Sequence, residues 1–310
     1  MKTMLRRSEL LAGALLLASS LFAAGCGPNL PAERPVDREL AEQIRADISE
    51  GTGGPAVAVA RPDPTGWATL SGSFKFAPGD ASKFSNPPAL AVSGDDGAYC
   101  NRGGAPKSQS LLVDGEGNIA NVVIFLGDNL SKVEKPELWI HPSATGSTEP
   151  VTFDQKACVF LSPITTMQVS QPLHILNSDG VGHNTKLENA NPISEILPPG
   201  GKITYEHRKE ERQPYAVSCN IHPWMKAYIL VRNNGYFAQT DEQGKFKIEN
   251  LPAGVDLTMK VWHEAAGGFL TDVTVNGETK KWPKKGFPVK LTADGEMKLD
   301  VVLDAGPFSN

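Results

Sequence analysis

Residues 215–231 read "YAVSCNIHPWMKAYILV". The run 215–219 alternates as a strand does and ends at Cys219, and a second strand-like run restarts at Lys226. Between them lies a tight loop carrying His222 and Met225. A loop closed between two paired strands has little freedom, so the side chains of Cys219, His222 and Met225 can converge on one point. Pro223 stiffens it further, because it holds His222 to extended backbone angles and removes one donor from the loop.

The segments around this hairpin read the same way. "WATLSGSFKF", "ANVVIFL", "ELWIHP", "ITTMQV", "PLHILNS" and "KITYEH" are short runs rich in β-branched and aromatic residues, with Gly, Pro, Asn or Asp in most of the gaps. That spacing predicts a Greek-key sandwich of antiparallel sheets over 66–231. Beyond Val231, "TDEQGKFKIENLPAG" places turn signals on both sides of an alternating strand, and "FLTDVTV", "PVKLT" and "KLDVVL" continue the pattern. A second β unit over 232–310, packed on the first, is therefore expected. The chain has 310 residues, 40% of them hydrophobic, enough for one large domain or two small ones. Its 30 Gly and 24 Pro favour turns and short strands over long helices. A net charge of −5 with scattered Lys and Arg excludes a nucleic-acid binder.

The N-terminus has the organisation of an export signal. Lys2, Arg6 and Arg7 precede an apolar run that ends in small residues before Cys26. "AAGC" resembles the bacterial lipobox, in which the cysteine is lipidated and becomes the first residue. The expectation is a signal peptide over 1–25, a lipid anchor on Cys26, and attachment to a bacterial membrane facing the periplasm or the cell exterior. The alternative is an ordinary signal peptide with a chance cysteine. Residues 26–65 read as a linker. Leu40, Ile44 and Ile48 recur there at helical spacing, which fits a short amphipathic helix or a solvated tether equally. Export implies an oxidising compartment. With Cys26 lipidated, three cysteines remain and one must be unpaired or metal-bound. Cys219, flanked by His and Met, is the odd one, leaving Cys100 and Cys158 as the expected disulfide.

A thiolate, an imidazole and a thioether are soft donors suited to copper; two His, one Cys and a weak axial Met form a blue-copper set. The loop supplies one His only. "NSDGVGHN" (177–184) supplies the other, placing His183 in a turn after the strand "PLHILN". Its rival, His174, sits mid-strand, as a satisfied or surface histidine would; His141, His207 and His263 read as structural or exposed. Zinc held by Cys219, His183 and His222 is the competing chemistry, but a thioether adds little to zinc.

On these residues the chain resembles the cupredoxins. Cys-x-x-His-Pro-aromatic-Met at 219–225 is similar to the copper loop of the amicyanin branch, and "NSDGVGHN" to the upstream histidine turn of plastocyanin-like members. The resemblance covers roughly 105–231. It implies one type 1 copper ion on His183, Cys219, His222 and Met225, with Asn184 tied to Ser218 outside the ligands. It also implies that the electron leaves through an apolar patch at His222, Pro223 and Trp224; Trp224 reads equally as a core residue. The cysteine-bearing segments "QSLLVDGEGNIANVVIFL" and "DQKACVFL" resemble exported cupredoxin-like proteins. There, Ser162-Pro163-Ile164 departs from a Pro-His pair common in the group. The stretch "TDEQGKFKIENLPAG" resembles a carboxypeptidase regulatory-like repeat.

With four protein ligands, no position at copper is open for substrate. The expected function is outer-sphere electron transfer to a redox protein partner, by a membrane-tethered copper protein that is not an enzyme. No His-x-His, His-Cys-His, Ser–His–Asp or phosphate-loop motif is present to argue otherwise. The alternative is a metal-free cupredoxin-like binding or structural lipoprotein in which Cys219 is a leftover thiol. Copper storage is disfavoured by the six scattered Met.

Overall fold

The computed structural model describes residues 61–309. The expected signal peptide, Cys26 and the stretch 40–48 that fits a helix or a tether lie outside the described residues. Within them the chain is all-β, and its one α-helix is the single turn Gly97–Cys100. None of the described helices is long and apolar enough to cross a membrane.

Four sheets build the fold. One orders the strands Ile164–Gln168, Lys226–Arg232, Tyr215–Ser218, His183–Leu187 and Ile193–Leu197; its partner orders Val159–Phe160, Val151–Lys156, Leu173–Asn177 and Lys202–Tyr205. Phe153, Phe160, Leu173 and Ile175 from the second sheet meet Met167, Leu187, Val217, Ile229 and Val231 from the first in one buried core. The second sandwich opposes a sheet built on Gly66–Phe76, Lys245–Ala253 and Glu296–Leu303 to one built on Val123–Leu126, Phe237–Gln239 and Asp256–His263. Its core gathers Leu70, Phe74, Ile124, Leu126, Met259, Val261 and Val301.

The two sandwiches share a third apolar layer of Val123, Phe125, Ile164, Leu230 and Trp262. This explains why "VIFL" is an unbroken apolar run rather than an alternating one: all four residues are buried, with Ile124 and Leu126 facing one core and Val123 and Phe125 the other. A strand covered on both faces has no polar side.

Three expectations meet differences here. The sheets do not respect a boundary near 232, since Gly66–Phe76 pairs with Lys245–Ala253 and with Glu296–Leu303. Sequence order cannot register that the first described strand closes the last sheet. The segment "ELWIHP" forms 3-10 turns at Pro136–Leu138 and Pro142–Ala144 instead of a strand. The two prolines remove ladder donors and favour turn starts. And the sheets are mixed: Tyr228–Arg232 runs parallel to Ile164–Gln168, and Val151–Gln155 parallel to Leu173–Asn177.

Candidate metal centre

The expected hairpin forms, with Tyr215–Ser218 and Lys226–Arg232 antiparallel and Ser218 opposite Lys226. Two backbone bonds close the loop: the Met225 N–H donates to the His222 carbonyl at 2.9 Å and the Cys219 N–H to the Met225 carbonyl at 3.3 Å. Cys219, His222 and Met225 are all buried. Cys219 is the free cysteine of the described residues, while Cys100 and Cys158 are joined as a disulfide. The Cys219 sulfur accepts backbone N–H groups from Asn184 at 3.2 Å and His222 at 3.4 Å.

His183 opens the strand His183–Leu187 rather than sitting in the preceding turn. That strand pairs antiparallel with Tyr215–Ser218, which carries His183 to the loop across the sheet end. Its Nδ1 lies 2.8 Å from Nδ1 of His222, whose Nδ1 is 3.9 Å from the Cys219 sulfur. The donor atoms of His183, Cys219 and His222 all lie within 4.8 Å of one another. Met225 packs its side chain in the same core as Cys219.

The outer ring nitrogens decide what this cluster needs. Nε2 of His183 is 3.0 Å from Asp179 Oδ2, and Nε2 of His222 is 3.1 Å from Asp96 Oδ2. A carboxylate only accepts, so both Nε2 atoms carry the proton. Burial lowers the His183 pKa below the usual imidazole value and outweighs the opposing bond to Asp179. A neutral ring with its proton on Nε2 presents a lone pair at Nδ1. The two Nδ1 atoms face each other beside a sulfur, in a dry pocket, where either one shared proton or a metal cation holds them together. Imidazole bonds of about 2.0 Å and thiolate bonds of about 2.3 Å span separations of this order. The donor set of two imidazoles and a thiolate, with a thioether in the same loop, fits copper.

Asp179 is itself held firmly. Its Oδ2 accepts the Cys158 N–H at 2.7 Å, and its Oδ1 accepts the Tyr99 hydroxyl at 2.6 Å. Burial works to raise its pKa, but the bonds from His183, Cys158 and Gly180 prevail and leave the carboxyl below its ordinary value. The turn that delivers the Cys158 N–H is unusual. Ala157 and Cys158 both have positive φ, 53° and 55°, where Gly or Asn is the easy choice. The Cys158 carbonyl accepts Trp224 Nε1 at 3.0 Å, so this turn is tied to the ligand loop as well as to Asp179.

Several expected roles differ. Asn184 does not reach Ser218: its Oδ1 accepts the N–H of Asn220, the residue after the cysteine, at 3.2 Å. Ser218 lies within the paired strands, opposite Lys186 and Lys226. The exit patch is not open at His222, which is 1% exposed, because Asp96 covers its outer edge. Pro223 is exposed, and Trp224 is half-buried with its ring 5.0 Å from that of His222. Asp96 and Asp179 were not singled out by sequence. Asp179 was within sight, four residues before His183 in the turn that leads into its strand, but Asp96 is 126 positions from His222. The remaining histidines stand apart: His174 is half-buried in mid-strand, His141 packs edge-on against Trp67, His207 bonds to Tyr215, and His263 to the Ala120 carbonyl.

No family model matches the chain, and no curated protein matches it. Solved structures do. A variant of amicyanin in its reduced Cu(I) form is 14% identical, with a TM-score of 0.25, over 28% of this chain and 86% of that one. An oxidised amicyanin variant gives 14%, 0.25, 27% and 82%. A copper-containing nitrite reductase from Thermus scotoductus SA-01 is 21% identical, with a TM-score of 0.26, over 28% of this chain and 23% of that one.

Proposed function

We propose that the chain is a type 1 copper protein that carries single electrons. His183, Cys219 and His222 hold one copper ion, with Met225 as the weak fourth ligand. The observation that carries this reading is the pair of Nδ1 atoms 2.8 Å apart, both outer nitrogens bonded to carboxylates, beside the free buried Cys219. When bound, copper supplies a centre that cycles between Cu(II) and Cu(I). The chain's own residues keep it dry and hold both rings, so little has to rearrange when the charge changes. With the ligand places taken by side chains, electrons pass without substrate binding at the ion, which supports a carrier rather than an enzyme.

A lipid tether at Cys26 would keep the carrier beside its redox protein partner on a bacterial membrane, facing the periplasm or the cell exterior. Voltammetry of the copper-loaded protein tests the reading. One reversible one-electron wave is expected, absent in Cys219→Ser. Copper bound without a reversible wave, or a wave that survives loss of the thiol, would contradict it.

A further inference from the structure

We infer that Asp96 is a positioning residue of the metal centre: its carboxylate holds the outer nitrogen of His222, selects which ring nitrogen faces the ion, and covers that edge of the ring. The inference rests on the copper reading above. Asp96 stands at the N-terminal end of the single helical turn Gly97–Cys100, yet its side chain makes no capping bond to that turn. It points instead to His222 Nε2, 3.1 Å away, with its own side chain 35% exposed against 2% for His222. Asp96 is thus the part of the His222 contact that water reaches.

The segment that delivers it is fastened at several points. Cys100 is bonded to Cys158. The Tyr99 hydroxyl donates to Asp179 at 2.6 Å and accepts the Gly180 N–H at 2.7 Å. The Arg102 guanidinium lies over the Tyr99 ring and 3.6 Å from Asp179. One short stretch therefore acts on both histidines, on His222 directly through Asp96 and on His183 through Tyr99 and Asp179. A partner of a ligand's outer nitrogen fixes the ring and raises its basicity. A negative charge there also favours the more positive ion, so Asp96 lowers the reduction potential.

Two variants separate the hydrogen bond from the charge. Asp96→Asn keeps an acceptor of the same shape and loses the charge; Asp96→Ala loses both. In the metal-free protein, nuclear magnetic resonance should show a slowly exchanging His222 Nε2 proton in the parent and in Asp96→Asn, and none in Asp96→Ala. With copper, the potential should rise in both variants, and Asp96→Ala should bind copper about 10- to 100-fold more weakly. A His222 proton that persists in Asp96→Ala, or a potential unchanged in Asp96→Asn, overturns the assignment. A parent protein without a Cu(II)–thiolate band refutes the copper reading instead, and the metal-free proton signal still decides the role of Asp96.

Discussion

Four histidines are buried in the described residues, and they form two contrasting pairs. His207 and His263 have neutral partners: the Tyr215 hydroxyl at 2.7 Å for one, and for the other the Ala120 carbonyl with the Ala265 N–H on its second nitrogen. Desolvation takes both down to a pKa of about 4, so they are ordinary neutral core groups. His183 and His222 have carboxylates on their outer nitrogens and only each other and a sulfur within. Burial is common to all four. An empty second nitrogen does not distinguish a ligand pair, since Nδ1 of His207 has no partner among the described residues either; what distinguishes it is a carboxylate on each outer nitrogen and two inner nitrogens turned to each other beside a sulfur.

The contrast can be broken from outside the ligands. Replacing Cys100 and Cys158 by Ser opens a loop of 58 residues and should cost about 4 kcal/mol of stability by chain entropy. The damage should also be uneven. Copper affinity should fall, because the segment bearing Asp96 and Tyr99 is released, while the His207 and His263 resonances stay in place. Urea unfolding and copper titration of the double variant read both effects.

Acid should act on the other pair. Unfolded histidine titrates near 6.5, whereas His207 and His263 bind a proton in the folded state only near 4. Between those values the unfolded chain holds more protons, so stability falls as pH drops from 6.5 towards 4 and is fully present above 6.5. Each group contributes up to about 3 kcal/mol. Urea midpoints measured across that window should decline steadily, and a flat profile would show that the two sites are not desolvated as described.

The smallest effect sharpens the comparison from a third histidine. His174 lies opposite Thr152 and Thr204 in the middle of a strand, half-buried and away from the cluster. His174→Gln should change stability by less than about 0.5 kcal/mol and leave copper binding untouched. A loss of copper in this variant would move the ligand assignment from His183.

Legibility followed locality. The hairpin at 215–231 could be read because strand pattern, proline and ligand spacing all lie within seventeen residues. The Cys100–Cys158 pair was reached because Cys219 was claimed by its neighbours. Asp96 could not be read: its role depends on a disulfide and a tyrosine contact that bring position 96 to position 222. Nor could the pairing of Gly66–Phe76 with Glu296–Leu303, a parallel closure between the two ends of the described chain. The exit edge failed for a related reason, because a loop pattern shows which side chains a turn presents but not what a distant segment lays over them.

The central claim, that His183, Cys219 and His222 converge on one copper ion, is tested most directly by titrating the metal-free protein with Cu(II). Absorption and electron paramagnetic resonance should be followed together. One equivalent should give an intense visible thiolate-to-copper band with the narrow hyperfine pattern of a covalent copper–sulfur site. Binding that leaves the solution colourless, or a spectrum of nitrogen and oxygen ligands alone, would contradict it.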